Sequence, residues 1–123
     1  MASAVADPET FLPLTPAVFH VLLALVDQER HGYAIMQSVA ETTGGAIQMG
    51  PGTLYGTIKR LLESGLIEES EGRPDPELDD ERRRYYRLTG LGQRVVGAES
   101  RRYAALVQVA RSKGLLGTKG AYA

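Results

Sequence analysis

The stretch Gly50-Pro51-Gly52-Thr53-Leu54-Tyr55-Gly56-Thr57-Ile58-Lys59-Arg60-Leu61-Leu62-Glu63-Ser64-Gly65 decides how the rest of the chain is read. Pro51 suits the first position of a helix, where its missing donor leaves nothing unsatisfied. Leu54, Ile58, Leu61 and Leu62 recur at helical spacing and predict one buried face, and Gly65 ends the run. With that face turned inward, Thr53, Gly56, Thr57, Lys59 and Arg60 stay outside, with Tyr55 at the edge. Hydroxyls and bases on one face of a short helix suit a DNA major groove, where they reach phosphates and base edges. The helix N-terminus adds unsatisfied N–H groups that favour a phosphate. The plain alternative is a solvated helix surface, the usual place for Lys and Arg.

Working back towards the N-terminus, Leu14-Thr15-Pro16 reads as another helix start, with Thr15 as cap and Pro16 first in the helix. Leu14 can pack on Phe19 as a hydrophobic staple. The run from Val18 to Val26 is apolar nearly all round, so this helix is expected to be buried on more than one side. A polar turn is expected over 27–30. A further helix is predicted over 32–43 with Tyr33, Met36, Val39 and Ala40 as its apolar stripe, stopped by Gly44-Gly45. Three short helices joined by tight turns are the raw material of a helix-turn-helix.

Beyond Gly65 the hydrophobic period changes. Segments 66–70 and 83–88 read as two strands, joined by a long loop over 71–82 rich in Pro, Asp and Glu. Alternation puts Tyr86 and Leu88 on one face and Arg83, Tyr85 and Arg87 on the other. Thr89 then caps a helix of roughly 90–113, with Val96, Tyr103, Leu106, Val107 and Ala110 at helical spacing. Three helices followed by a two-stranded ribbon make a winged helix-turn-helix, mainly α with a small β-hairpin. The expected division is a winged unit over 12–88, a C-terminal dimerisation helix over 89–116, and disordered tails over 1–11 and 117–123.

Bulk composition narrows the function classes. The chain has 123 residues, 43% hydrophobic and 24% charged, which fits one globular domain with an appendage. No apolar run approaches the ~20 residues of a membrane span, and the N-terminus has no secretory pattern. Cys is absent, which removes disulfides, thiolate metal sites and thiol catalysis and fits a cytoplasmic protein. His20 and His31 have no second His or carboxylate at ligand spacing, so neither metal nor cofactor is expected, and no catalytic cluster points to an enzyme. Net charge is −1, but residues 1–50 hold one base against five acids while the remainder holds 13 bases against 10 acids. The basic part is the part with the candidate groove-reading helix and ribbon.

Three segments carry a resemblance: His31-Gly32-Tyr33, Gly50 to Leu61 as quoted above, and Arg84-Tyr85-Tyr86-Arg87-Leu88-Thr89. In these the chain resembles PadR-type transcriptional regulators over nearly its whole length, in the compact branch with a single helix after the wing. The resemblance implies a homodimeric repressor that binds double-stranded operator DNA, with Thr53, Tyr55, Lys59 and Arg60 on the recognition helix. It also implies dimerisation through the C-terminal helix, and it allows relief by a small aromatic or lipophilic effector. Helix-turn-helix geometry assigns Thr53, Tyr55 and Thr57 to base edges and Lys59, Arg60, Arg83 and Arg87 to phosphates. Val96, Tyr103, Leu106 and Val107 are the expected dimer contacts. One feature departs from a DNA-facing wing: the acids Glu71, Asp75, Glu77, Asp79, Asp80 and Glu81 in its loop, which would keep the tip off the backbone. A winged helix that binds protein rather than DNA remains the alternative.

Overall fold

Thr15 starts the first helix, α1 (Pro16–Ala24), by accepting a bond from the Val18 N–H at 3.2 Å. The computed structural model describes residues 7–70 and 84–117. Phe19, Val21, Leu22 and Ala24 of α1 are buried, so the helix runs through the core. The polar turn expected over 27–30 leads, at its last residue, into a two-residue strand, β1 (Arg30–His31). His31 then caps α2 (Gly32–Thr42), its Nδ1 accepting from the Ala34 N–H at 3.2 Å. Gly44 and Gly45 carry the chain out of α2 with φ of 63° and 86°, where a side chain would strain the backbone.

The buried stripe of α2 differs from expectation. Gly32, Ile35 and Val39 face inward, while Tyr33 is 57% exposed. A stripe centred on Ile35 includes one aliphatic residue more deeply than one centred on Tyr33, whose hydroxyl prefers water. In α3 (Pro51–Glu63) the buried residues are Leu54, Thr57, Ile58 and Leu61. Thr57 is therefore a correction: at 2% exposed it lies inside, and Leu62 takes the outer position. The arc i, i+3, i+4, i+7 from Leu54 passes through residue 57, not 62, and that geometry outweighs hydrophobicity.

Strands β2 (Ile67–Ser70) and β3 (Tyr85–Leu88) complete a three-stranded antiparallel sheet of order β1-β3-β2. Ile67 faces Leu88 and Glu68 faces Arg87, while Arg30 and His31 pair with Tyr86 and Tyr85 on the other edge. Tyr86 is buried and Arg87 exposed, as the alternation predicts.

The corner between the sheet and α4 (Gly90–Ser112) is tied three times by Thr89. Its N–H donates to the Leu66 carbonyl at 3.1 Å, and its hydroxyl donates to the Gly65 carbonyl at 2.6 Å. The same hydroxyl oxygen accepts the Gly92 N–H at 3.0 Å. Gly92 is buried against Leu66, and a Cβ there would collide with the Leu66 carbonyl oxygen. Helix α4 thus enters the core directly. Val95, Val96, Ala98 and Glu99 are buried along its first half.

The described part of the N-terminal arm begins at Asp7, within the segment 1–11 read as a tail. Asp7 caps a 3-10 turn, Pro8–Phe11, which lies on α4. Glu99, fully buried, holds the arm in place: its Oε2 accepts the Leu14 N–H at 2.9 Å and its Oε1 accepts Arg102 Nε at 2.6 Å. The Arg102 hydrogen bond lowers the Glu99 pKa most, the Leu14 bond lowers it further, and burial opposes both.

Two outcomes follow for stability. Gly92→Ala has rigid backbone as its obstacle and should cost about 1–3 kcal/mol or more, read as a lowered denaturation midpoint. Glu99 has a folded pKa below its ordinary value of 4.5, so its contribution is complete above that value and is lost as pH falls through the lowered one. The stability gap between the wild type and Glu99→Gln, measured by denaturant titration, should therefore be constant near neutrality and shrink in acid below about 4.5.

Candidate nucleic-acid interface

Burial of one arc of α3 leaves the opposite arc to solvent. Thr53, Lys59 and Arg60 are exposed on it, with Gly56 half-buried between them. Glycine at that position lets a partner approach the helix backbone, because no side chain stands in the way. Among the described residues Lys59 has no carboxylate partner, and Arg60 donates only to the Thr57 hydroxyl, at 3.3 Å. Both cations are thus available to an outside anion. Gly50 supplies no side-chain bond to the first turn of α3.

Tyr55, expected at a base edge, is half-buried. Its hydroxyl and ring edge lie over Gly32, where a Cβ would come within 2.5 Å of the Tyr55 oxygen. The Tyr55 ring thereby packs α3 on the start of α2. This also accounts for Gly32 in the His31-Gly32-Tyr33 segment: any side chain there would displace the ring.

The wing arginines divide between two faces. Arg84 shares a cleft of about 360 Å³ with Pro51, Gly52, Tyr55 and Tyr86, beside the start of α3. The sequence marks Arg84 as part of the charge on the second strand but favours Arg83 and Arg87 for phosphate; Arg84 stands exposed just before β3. Arg87 lies on the opposite face of β3, paired across the strands with Glu68 at 2.8 Å. Arg84 pairs with Glu69 at 3.3 Å. Arg83 and the acidic loop lie outside the described residues.

The expected dimer contacts also separate. Val96 is a correction, because at 3% exposed it belongs to the chain's own core. Tyr103 is half-buried, edge-on to Phe19 at 5.0 Å between ring centroids. Leu106 and Val107 are 52% and 41% exposed, and Val109 and Leu115 are exposed nearby. Among the described residues no group of three His, Cys, Asp or Glu could hold a metal, and no helix is long and apolar enough to cross a membrane.

The model of the Transcriptional regulator PadR-like family matches residues 21–98, from within α1 to within α4. The chain belongs to that family. A PadR family transcription regulator from Clostridium difficile has the same fold, with a TM-score of 0.66 at 21% identity over 80% of this chain and 97% of that one. RosR of H. salinarum gives a TM-score of 0.57 at 28% identity over 86% and 99%. An uncharacterised protein of Lysinibacillus sphaericus is 28% identical over 89 residues, 72% of this chain and 79% of its own length. This PadR-like chain is accordingly a DNA-binding transcriptional regulator rather than an enzyme. The matched range contains α3, the wing and the buried half of α4, and stops short of the exposed distal half.

The Tyr55 placement yields a clear pair of outcomes. Tyr55→Ala should lower stability by about 1–3 kcal/mol through lost packing on Gly32. Tyr55→Phe should leave operator affinity nearly unchanged, as read by DNA titration beside a thermal melt. Loss of operator affinity in Tyr55→Phe at unchanged stability would return the hydroxyl to the groove.

Proposed function

We propose that this chain is a homodimeric repressor that binds operator DNA with α3 in the major groove and the wing beside it. The observation that carries the reading is the outward arc of α3, where Thr53, Lys59 and Arg60 stand exposed and the two cations lack carboxylate partners among the described residues. Thr53, near the N-terminal end that enters a groove most deeply, faces base edges; Lys59 and Arg60 face phosphates. Arg84, Arg87 and Arg83 add backbone contacts from the wing. The setting is the cytoplasm, where the DNA is.

Dimerisation falls to the distal half of α4. Leu106 and Val107 share a helical face with Tyr103, and a row of exposed aliphatic side chains on a helix that outruns its own core favours a second copy. Two-fold pairing would present two α3 helices to successive turns of the duplex. A small aromatic or lipophilic effector would sit between the copies beside Tyr103, and displacement of bound DNA by small aromatics tests that part.

A gel shift with the DNA upstream of the chain's own gene, run beside light scattering, tests the whole. The expected result is a specific shift and a particle of twice the chain mass. Leu106→Glu with Val107→Glu should give monomers and lose most of the operator affinity. A monomeric wild type that still binds its operator specifically would overturn the dimer. Absence of any shift would favour a protein-binding winged helix.

A further inference from the structure

The cations of the two DNA-facing elements differ in what already holds them. On α3, Lys59 and Arg60 meet no carboxylate among the described residues. On the wing, Arg87 of β3 and Arg84 just before it are both engaged by β2. Arg87 Nε donates to Glu68 Oε2 at 2.8 Å, and the two residues are direct partners in the antiparallel register. Arg84 Nε lies 3.3 Å from Glu69 Oε2, on the other face of the ribbon. All four side chains are about half exposed, at 48–57%, so each pair is open to competition from a dissolved anion.

We infer that Glu68 and Glu69 are intramolecular competitors of DNA phosphate, occupying the wing arginines in the free protein and setting how tightly and how salt-dependently the wing engages DNA. This rests on the DNA-binding reading above. A guanidinium offers the same fork of donors to a carboxylate as to a phosphate, so a phosphate that engages the Nε edge of a wing arginine must displace the glutamate held there. The exchange has two consequences. The broken pair subtracts its own stabilisation from the contact that replaces it, a modest amount for an exposed pair. The released carboxylate also stays beside the phosphate it lost to, where like charges repel. Counterion release is blunted as well, because the freed glutamate attracts a cation while the phosphate gives one up. The chain therefore binds through α3 with its full charge and through the wing with a reduced one. That division keeps affinity for bulk DNA low without removing the wing.

Glu68→Gln and Glu69→Gln in the full-length chain test this, with fluorescence anisotropy on the upstream duplex and on a random duplex of equal length at several salt concentrations. Each variant should bind both duplexes more tightly, by roughly two- to fivefold. The slope of log affinity against log salt should steepen by up to ~0.9 per pair per protomer. Glu41→Gln, which removes a carboxylate from the far end of α2, should leave the slope unchanged. Arg87→Ala should weaken binding more in the Glu68→Gln background than in the wild type, which identifies the pair rather than net charge as the cause. Unchanged affinity and slope in both glutamine variants, with a wild type that binds DNA, would overturn the competition alone. A wild type that binds neither duplex would overturn the DNA-binding reading and the competition with it. Tighter binding that persists equally after Arg87→Ala would assign the effect to net charge and overturn the pair.

Discussion

The contact between Tyr55 and Gly32 sets the geometry on which the rest depends. It brings α3 against the first residue of α2, closer than any side chain at position 32 would permit. The ring fills the gap between the two helices and so helps to set which arc of α3 is buried. Leu54, Thr57, Ile58 and Leu61 fill that arc and join Leu22, Ile35 and Val39 in one core. The arc with Thr53, Lys59 and Arg60 is outward as a consequence. Function here follows from packing: the same contacts that bury one side of a short helix present the other.

A second set of constraints ties the wing and α4 to that core. Thr89 bonds to the carbonyls of Gly65 and Leu66, and Gly92 allows α4 to lie on the Leu66 backbone. The wing therefore starts and ends at one fixed corner beside the end of α3. Glu99 closes the arrangement from the other side, holding the N-terminal arm through Leu14 and itself held by Arg102. A buried carboxylate is tolerated because three donors, the Leu14 N–H and two from the Arg102 guanidinium, meet its two oxygens. The distal half of α4 leaves this body with Leu106 and Val107 exposed.

Much of this was legible in the sequence because it depends on local chemistry. Thr15-Pro16, Gly50-Pro51 and Thr89 announce helix starts, Gly44-Gly45 and Gly65 announce stops, and the change of period after Gly65 announces strands. What stayed hidden depends on tertiary partners. Strand β1 has two residues, too few to show a period, and exists only because β3 pairs with it. Thr57 and Leu62 exchanged places because hydrophobicity ranks residues without regard to the angle at which a helix meets its neighbours. Tyr33 and Tyr55 went to solvent and to Gly32 respectively, which no spacing rule distinguishes. Val96 was read as a dimer contact because a periodic stripe on a long helix does not say where the chain's own core stops. Glu99 and the Arg84–Glu69 pair join residues far apart in sequence and had no local signature.

The central claim is that Lys59 and Arg60 of α3, without a carboxylate partner among the described residues, meet DNA phosphates. The most direct measurement is a salt titration of upstream-DNA affinity for the wild type and for the double variant Lys59→Ala with Arg60→Ala, the variant checked for an unchanged thermal midpoint. The account predicts weaker binding to operator and random DNA alike, with a slope shallower by ~0.9 for each lost contact in each protomer. Equal slopes and equal affinities for the two proteins would contradict it, and would take α3 out of the interface.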